Sequence, residues 1–183
     1  MVEIKFYGRG GQGAVIASQI LARVFFSMGK YPQCFSLFGG ERRGAPVTSF
    51  LRVDDKKILL KCEIKKPDEV IFMAPDLVDE TEIDLILKPR GLILINNALT
   101  ANEFKALGKF RLALVDALSI SEDSGLGAMI NTAMLGAYAK ASGAISMECL
   151  EKAIKETVPA RIEANIGAAR KAYESTRLFL EAQ

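Results

Sequence analysis

There is no histidine among the 183 residues. That removes Ser-His and Cys-His nucleophilic machinery, histidine metal sites and the commonest general base. Cysteine is scarce as well. Cys34, Cys62 and Cys149 are far apart, and no C-x-x-C occurs. Zinc or iron–sulfur ligation by this chain alone is therefore not expected. Cys34 and Cys62 fall in apolar, strand-like stretches and are read as buried free thiols, which fits a reducing, cytoplasmic setting. No uncharged apolar run reaches the ~18 residues of a membrane span. The N-terminus enters a strand pattern with no cationic region before an apolar run, so no signal peptide is expected. No G-x-x-x-x-G-K-S/T is present, which excludes P-loop nucleotide hydrolysis. A strong charge imbalance is missing too: the formal net charge is +2, which implies no bulk attraction to nucleic acid or membrane. Lys30, Lys56, Lys57, Lys65 and Lys66 are dispersed and read as solvated loop ends.

What is present is enough apolar residue, 50% of the chain, to bury a core without staples. The length favours one domain, residues 1–183. Residues 4–7 read as a strand, and 14–28 as a helix with apolar residues spaced by three and four, stopped at Gly29. Residues 31–37 read as a second strand. This strand–glycine turn–helix–strand order is a βαβ start, so the two strands are expected to run parallel. Residues 47–53 and 58–60 read as strands around the polar turn 54–57, an antiparallel hairpin insertion extending one sheet edge. Strand patterns return at 69–73, 91–95 and 112–115, with helices at 77–87 and 101–107. The C-terminal third is helical. Residues 129–141 are rich in small residues, with Gly136 and Ala137 permitting close helix approach. Ser146 is a candidate N-cap, and 160–180 reads as a last helix. The fold class is α/β: Rossmann-like, a mostly parallel sheet flanked by helices. Asp76, Asn96, Asn97 and Asp116 close strands, as the first glycine turn does. In an open parallel sheet such ends share one edge, where ligands or partners bind.

Two turns stand out. The first, Gly8-Arg9-Gly10-Gly11-Gln12-Gly13, follows a strand and opens a helix. Gly8, Gly10 and Gly13 fit G-x-G-x-x-G, which permits a tight turn and close approach to a pyrophosphate at a helix N-terminus. A dinucleotide site also requires an acidic residue about 20 positions on, and the second strand ends Cys34-Phe35-Ser36. Three readings stand: a nucleotide site with NADP the least excluded, a plain tight turn, or a loop whose Gln12 and amides dock on another chain or on its cofactor. The second turn, Gly39-Gly40-Glu41-Arg42-Arg43-Gly44-Ala45-Pro46, carries two adjacent arginines that no packing argument requires. Their forks suit carboxylate or phosphate, and Pro46 stiffens the exit. It reads as an anion or interface site, with solvated ion pairs worth 0–1 kcal/mol as the plain alternative.

These two turns, in the wording Tyr7 to Gly13 and Phe38 to Val47, and the run Asn131-Thr132-Ala133-Met134-Leu135-Gly136-Ala137 resemble the gamma subunit of 2-oxoacid:ferredoxin oxidoreductases. The resemblance covers nearly the whole chain, and the Glu41–Pro46 wording is closer to the pyruvate and branched-chain members. It implies one subunit of an enzyme that converts a 2-oxoacid and coenzyme A to acyl-CoA and CO2, passing electrons to ferredoxin. It implies alpha, beta and delta-type partners, with thiamin diphosphate, magnesium and iron–sulfur clusters held by them and none by this chain. No residue is expected to be catalytic. The loop or interface candidates are Gly8, Gly10, Gly11, Gln12, Gly13, Glu41, Arg42, Arg43, Gly44 and Asn131. A stand-alone NADP or other nucleotide binder is the alternative.

Overall fold

The structure, a computed structural model, describes residues 1–38, 44–97, 104 and 106–179. Strand β1 (Val2–Arg9) alternates: Ile4 and Phe6 are wholly buried on one face, while Lys5 and Tyr7 lie on the other. Helix α1 (Ala14–Ser27) starts at Gly13, whose φ of 83° is left-handed, and buries Ala17, Ile20, Leu21 and Val24. The helix ends into Gly29 at φ 78°, where Lys30 N donates to Phe25 O at 3.0 Å. Strands β2 (Tyr31–Phe38) and β3 (Pro46–Asp54) follow. After a long irregular connection comes β4 (Glu69–Phe72), then one 3-10 turn and α2 (Glu80–Ile86). Asp79 caps α2, accepting from Thr81 N and Glu82 N. Then come β5 (Leu92–Asn96), β6 (Arg111–Val115), α3 (Ala117–Asp123), α4 (Asn131–Ser142), α5 (Met147–Thr157), α6 (Ile162–Ser175) and β7 (Arg177–Phe179). Ser146 caps α5 as expected, accepting from Cys149 N at 3.2 Å.

Among the described residues the seven strands form one mixed sheet in the order β2-β3-β1-β4-β5-β6-β7. β1, β4, β5 and β6 are parallel neighbours. α1, α4, α5 and α6 cover one face, packing on Ile4, Phe6, Leu51, Ile71 and Leu94. α2 and the buried Phe104, Leu107 and Phe110 cover the other over β4, β5 and β6. The architecture is α/β.

Several expectations need correction. β1 and β2 do run in the same direction, but they are not neighbours, because β3 lies between them and is antiparallel to both. The antiparallel hairpin is therefore β2–β3, not residues 47–60. Both edges of β3 are taken, so residues 58–60 cannot fold back on it as a hairpin, and they are irregular. The last helix stops at Ser175 instead of Leu180. Thr176 leaves helical geometry at ψ 125°, and residues 177–179 pair with the otherwise open edge of β6. The helix expected at 101–107 lies largely outside the described residues. Cys62 is exposed, not buried. Cys34 is half-buried against Ser18 (3.1 Å), and its burial pushes the thiol above its ordinary range.

Candidate functional site

β1 delivers the glycine turn to the carboxyl end of the parallel strands, the edge at which open α/β sheets bind. Gly11 and Gly13 have φ of 103° and 83°, conformations that only glycine adopts without strain. Gln12 turns back on its own loop. Its Oε1 accepts from Arg9 N at 2.8 Å, and its Nε2 donates to Met73 O, just past β4, at 3.3 Å. The same carbonyl accepts from Asn96 Nδ2 at 3.0 Å, while Asn96 Oδ1 accepts from Ala117 N at 3.0 Å. Two side-chain amides thus stitch the ends of β1, β4 and β5 to the start of α3.

The second turn meets the first. Gly10 N donates to Ala45 O at 2.9 Å, and Gly44 N donates to Gly10 O at 3.2 Å. These bonds continue the β1–β3 ladder, which ends with Arg9 opposite Pro46. Arg9 reaches across both loops: Nη1 donates to Gly44 O at 2.9 Å, and Nε donates to Asp76 Oδ2 at 3.0 Å with Nη2 on the same oxygen. The Arg9 fork holds the Asp76 carboxyl below its usual range. Asn131 closes the group from the opposite side. A Cβ on Gly13 would stand 3.0 to 3.2 Å from the Asn131 side chain, so the start of α4 rests directly on the glycine turn. Asn131 Oδ1 accepts from Thr132 N, and Thr132 Oγ1 donates to Asn165 Oδ1 at 2.9 Å. All three residues are buried.

A hollow of about 250 Å³ opens here, lined by Arg9, Gly10, Gly11, Gly13, Phe38 and Val47. Phe38 is 62% exposed, a large apolar ring left to solvent beside backbone amides. Gly8, Gly10, Gly11, Gln12, Gly13, Gly44 and Asn131 are therefore brought together. Glu41, Arg42 and Arg43, with Gly39 and Gly40, lie outside the described residues. Arg9 and its tie to Asp76 were not legible as site features. Asp76 showed as a strand closer, but nothing in the sequence paired it with an arginine 67 positions away.

The geometry does not make a dinucleotide site. There an acidic residue about 20 positions on, at the end of the strand that follows the first helix, holds the ribose. Here that strand, β2, carries no carboxylate and is separated from β1 by β3, which runs antiparallel to both and sets Val47 beside Gly8. Among the described residues no group of three or more Cys, Asp or Glu is placed to hold a metal ion. No described helix is long and apolar enough to cross a membrane.

Comparison with known proteins gives the same answer at three levels. The family model described as pyruvate ferredoxin/flavodoxin oxidoreductase matches residues 3–175. A Pyrococcus furiosus protein, the common gamma subunit of pyruvate/ketoisovalerate oxidoreductases, is 47% identical over 98% of this chain and 99% of its own. The pyruvate synthase subunit PorC of Methanocaldococcus jannaschii is 45% identical over 94% of this chain and 96% of its own. The crystal structure of the pyruvate oxidoreductase subunit PORC from Thermotoga maritima superposes with a TM-score of 0.82 at 32% identity, covering 97% of each chain. A 2-oxoglutarate:ferredoxin oxidoreductase from Magnetococcus marinus matches with a TM-score of 0.77 at 15% identity, over 32% of its chain, and shares the fold.

Proposed function

The chain belongs to the pyruvate ferredoxin/flavodoxin oxidoreductase family, and from that membership we propose that it is the gamma subunit of a cytoplasmic, multi-subunit 2-oxoacid:ferredoxin oxidoreductase. The complex would convert a 2-oxoacid and coenzyme A to acyl-CoA and CO2, with two electrons passed to ferredoxin. Pyruvate or a branched-chain 2-oxoacid is the favoured substrate, in keeping with relatives named for pyruvate and ketoisovalerate. Alpha, beta and delta-type subunits are the partners, and thiamin diphosphate, magnesium and iron–sulfur clusters belong to them. No chemical step is assigned to this chain.

The observation that carries the reading is the end-to-end likeness to gamma subunits in a chain whose motif loops converge at one sheet edge. That edge offers close backbone approach at Gly10, Gly11 and Gly13 and an exposed Phe38. These are the means to cap another subunit's site. The chain acts as a single domain. Arg42 and Arg43 carry the anion-binding part of the reading, toward substrate carboxylate, coenzyme A phosphates or a neighbouring subunit's acids. The test is an Arg42→Ala/Arg43→Ala double variant in the native complex, in which activity or assembly is expected to fall. Wild-type activity together with wild-type assembly would sink the assignment of that turn.

A further inference from the structure

The connection between β3 and β4, residues 55–68, contains no helix or strand. Irregular connections longer than about 12 residues are uncommon in compact domains and are usually either functional or linker segments. This one is pinned. Arg52, 2% exposed, donates from Nη1 to Cys62 O at 2.7 Å and from Nη2 to Glu63 O at 3.3 Å. Ile64 is buried, and Lys88 N donates to Pro67 O at 3.1 Å. The second half of the connection, residues 62–67, is therefore held in place.

The connection's side chains have an unusual composition. Lys56, Lys57, Lys61, Lys65 and Lys66 are all exposed. None of the five forms an ion pair or hydrogen bond among the described residues. Of the segment's acids, Asp55 is already answered by Lys30 at 2.5 Å, and the exposed Glu63 alone is set against the five lysines, so the field that remains is positive. Among these cations Leu59 is 80% exposed and Leu60 48%. Read from the sequence alone Lys56, Lys57, Lys65 and Lys66 are solvated loop ends. The anchored backbone and the open leucines make them a surface.

We propose that residues 55–66 form a docking strap for a small electron-carrier protein with a carboxylate-rich face, an inference that rests on the reading that the complex hands electrons to ferredoxin. Charge selects the occupant. Lysine is depleted from the cores of lasting interfaces, whereas a small apolar spot among unpaired cations fits a weak encounter below ~1,200 Å². Such a patch steers an acidic partner and raises its association rate. Docking, not electron transfer, is what these side chains supply.

The test uses the assembled complex with its own purified ferredoxin as one acceptor and methyl viologen as the other. The variant carries K56Q, K57Q, K61Q, K65Q and K66Q together, and a matched set carries Arg at the same positions. At about 0.01 M ionic strength the Gln set is expected to raise the KM for ferredoxin ~10-fold. The difference is expected to shrink at about 0.15 M, the Arg set to restore wild-type KM, and methyl viologen reduction to stay unchanged. A ferredoxin KM within twofold of wild type, with normal methyl viologen reduction, would overturn this inference alone. Loss of the Gln-set chain from the complex on gel filtration would overturn it too, marking the strap as a contact with a sister subunit. A wild-type complex that reduces methyl viologen with no 2-oxoacid would sink the parent reading along with it.

Discussion

Replacing Gly136 with Ala is expected to lower stability by about 2 kcal/mol, although the same change on an open helix surface would raise it. α4 and α6 meet with no room between them. A Cβ at Gly136 would stand 1.9 Å from Ala169 O, 2.6 Å from its carbonyl carbon and 2.8 Å from its Cα. Ordinary contact distances then require the helices to part by about 1.5 Å. The obstacle is backbone, so no rotamer change relieves it. The seam around it is small and buried, with Ala133 and Ala137 on α4 and Ala168 and Ala172 on α6, and its close contacts would lapse together. Overpacking of this kind costs ~1–3 kcal/mol, and a rigid neighbour places it at the upper end. Ala gains ~1 kcal/mol over Gly in helix propensity, which leaves the net of about 2. For a chain of this size that is a melting temperature lower by about 4–8 °C. Calorimetry and urea unfolding of the isolated chain measure it. An unchanged or raised melting temperature would refute the packing argument, because propensity would then have won. The displacement has a route to the candidate site, since α4 begins at Asn131, against Gly13.

Arg52→Met is expected to cost about 3 kcal/mol, the lower end for breaking a buried ion pair, because Glu3 keeps Lys88 as a partner at 3.4 Å; urea unfolding reads it, and faster proteolysis within residues 55–66 should accompany it. Burial raises the Glu69 carboxyl, which accepts from Tyr138 Oη at 2.7 Å. Its unfolded form ionises near ~4.3, so this group subtracts stability as pH rises from there through the raised folded value. Glu69→Gln should abolish that decline in melting temperature against pH, and an unaltered profile would count against the assignment. Asp76 works with the opposite sign. Held low by Arg9, it contributes stability that is present above about 3.9 and lost as pH falls through the depressed folded value. In Arg9→Met the Asp76 carboxyl should titrate back in the ordinary range by NMR; an unmoved titration would mean that the pair does not form in solution.

The elements that were legible are those whose side chains carry a periodic or local signal. β1, α1 and the parallel strands show continuous or alternating apolar runs, and Ser146 announces α5 by its chemistry. Gly136 was readable as a point of close approach because small residues cluster around it. The misses share one cause: strand pairing is not local. Residues 58–60 have the apolar composition of a strand but cannot form the expected hairpin with β3, whose two edges are taken by β1 and β2. Residues 177–179 read as helix, and tertiary pairing with β6 overrode that preference. At the site the glycine turn and Asn131 were each visible, yet their contact through Gly13 was not. The Arg9–Asp76 tie was invisible because two ordinary charged residues far apart in sequence give no sign that a sheet edge joins them.

The central claim is that this chain is a required subunit with no chemistry of its own, and omitting it is the most direct test. The complex should be assembled from its separately produced subunits with and without this chain, and 2-oxoacid oxidation should be followed with coenzyme A and methyl viologen. Activity that is lost without the chain, returns when it is added back, and is absent from the chain alone is the expected result. Full activity in its absence, with the other subunits assembled normally, would contradict the claim.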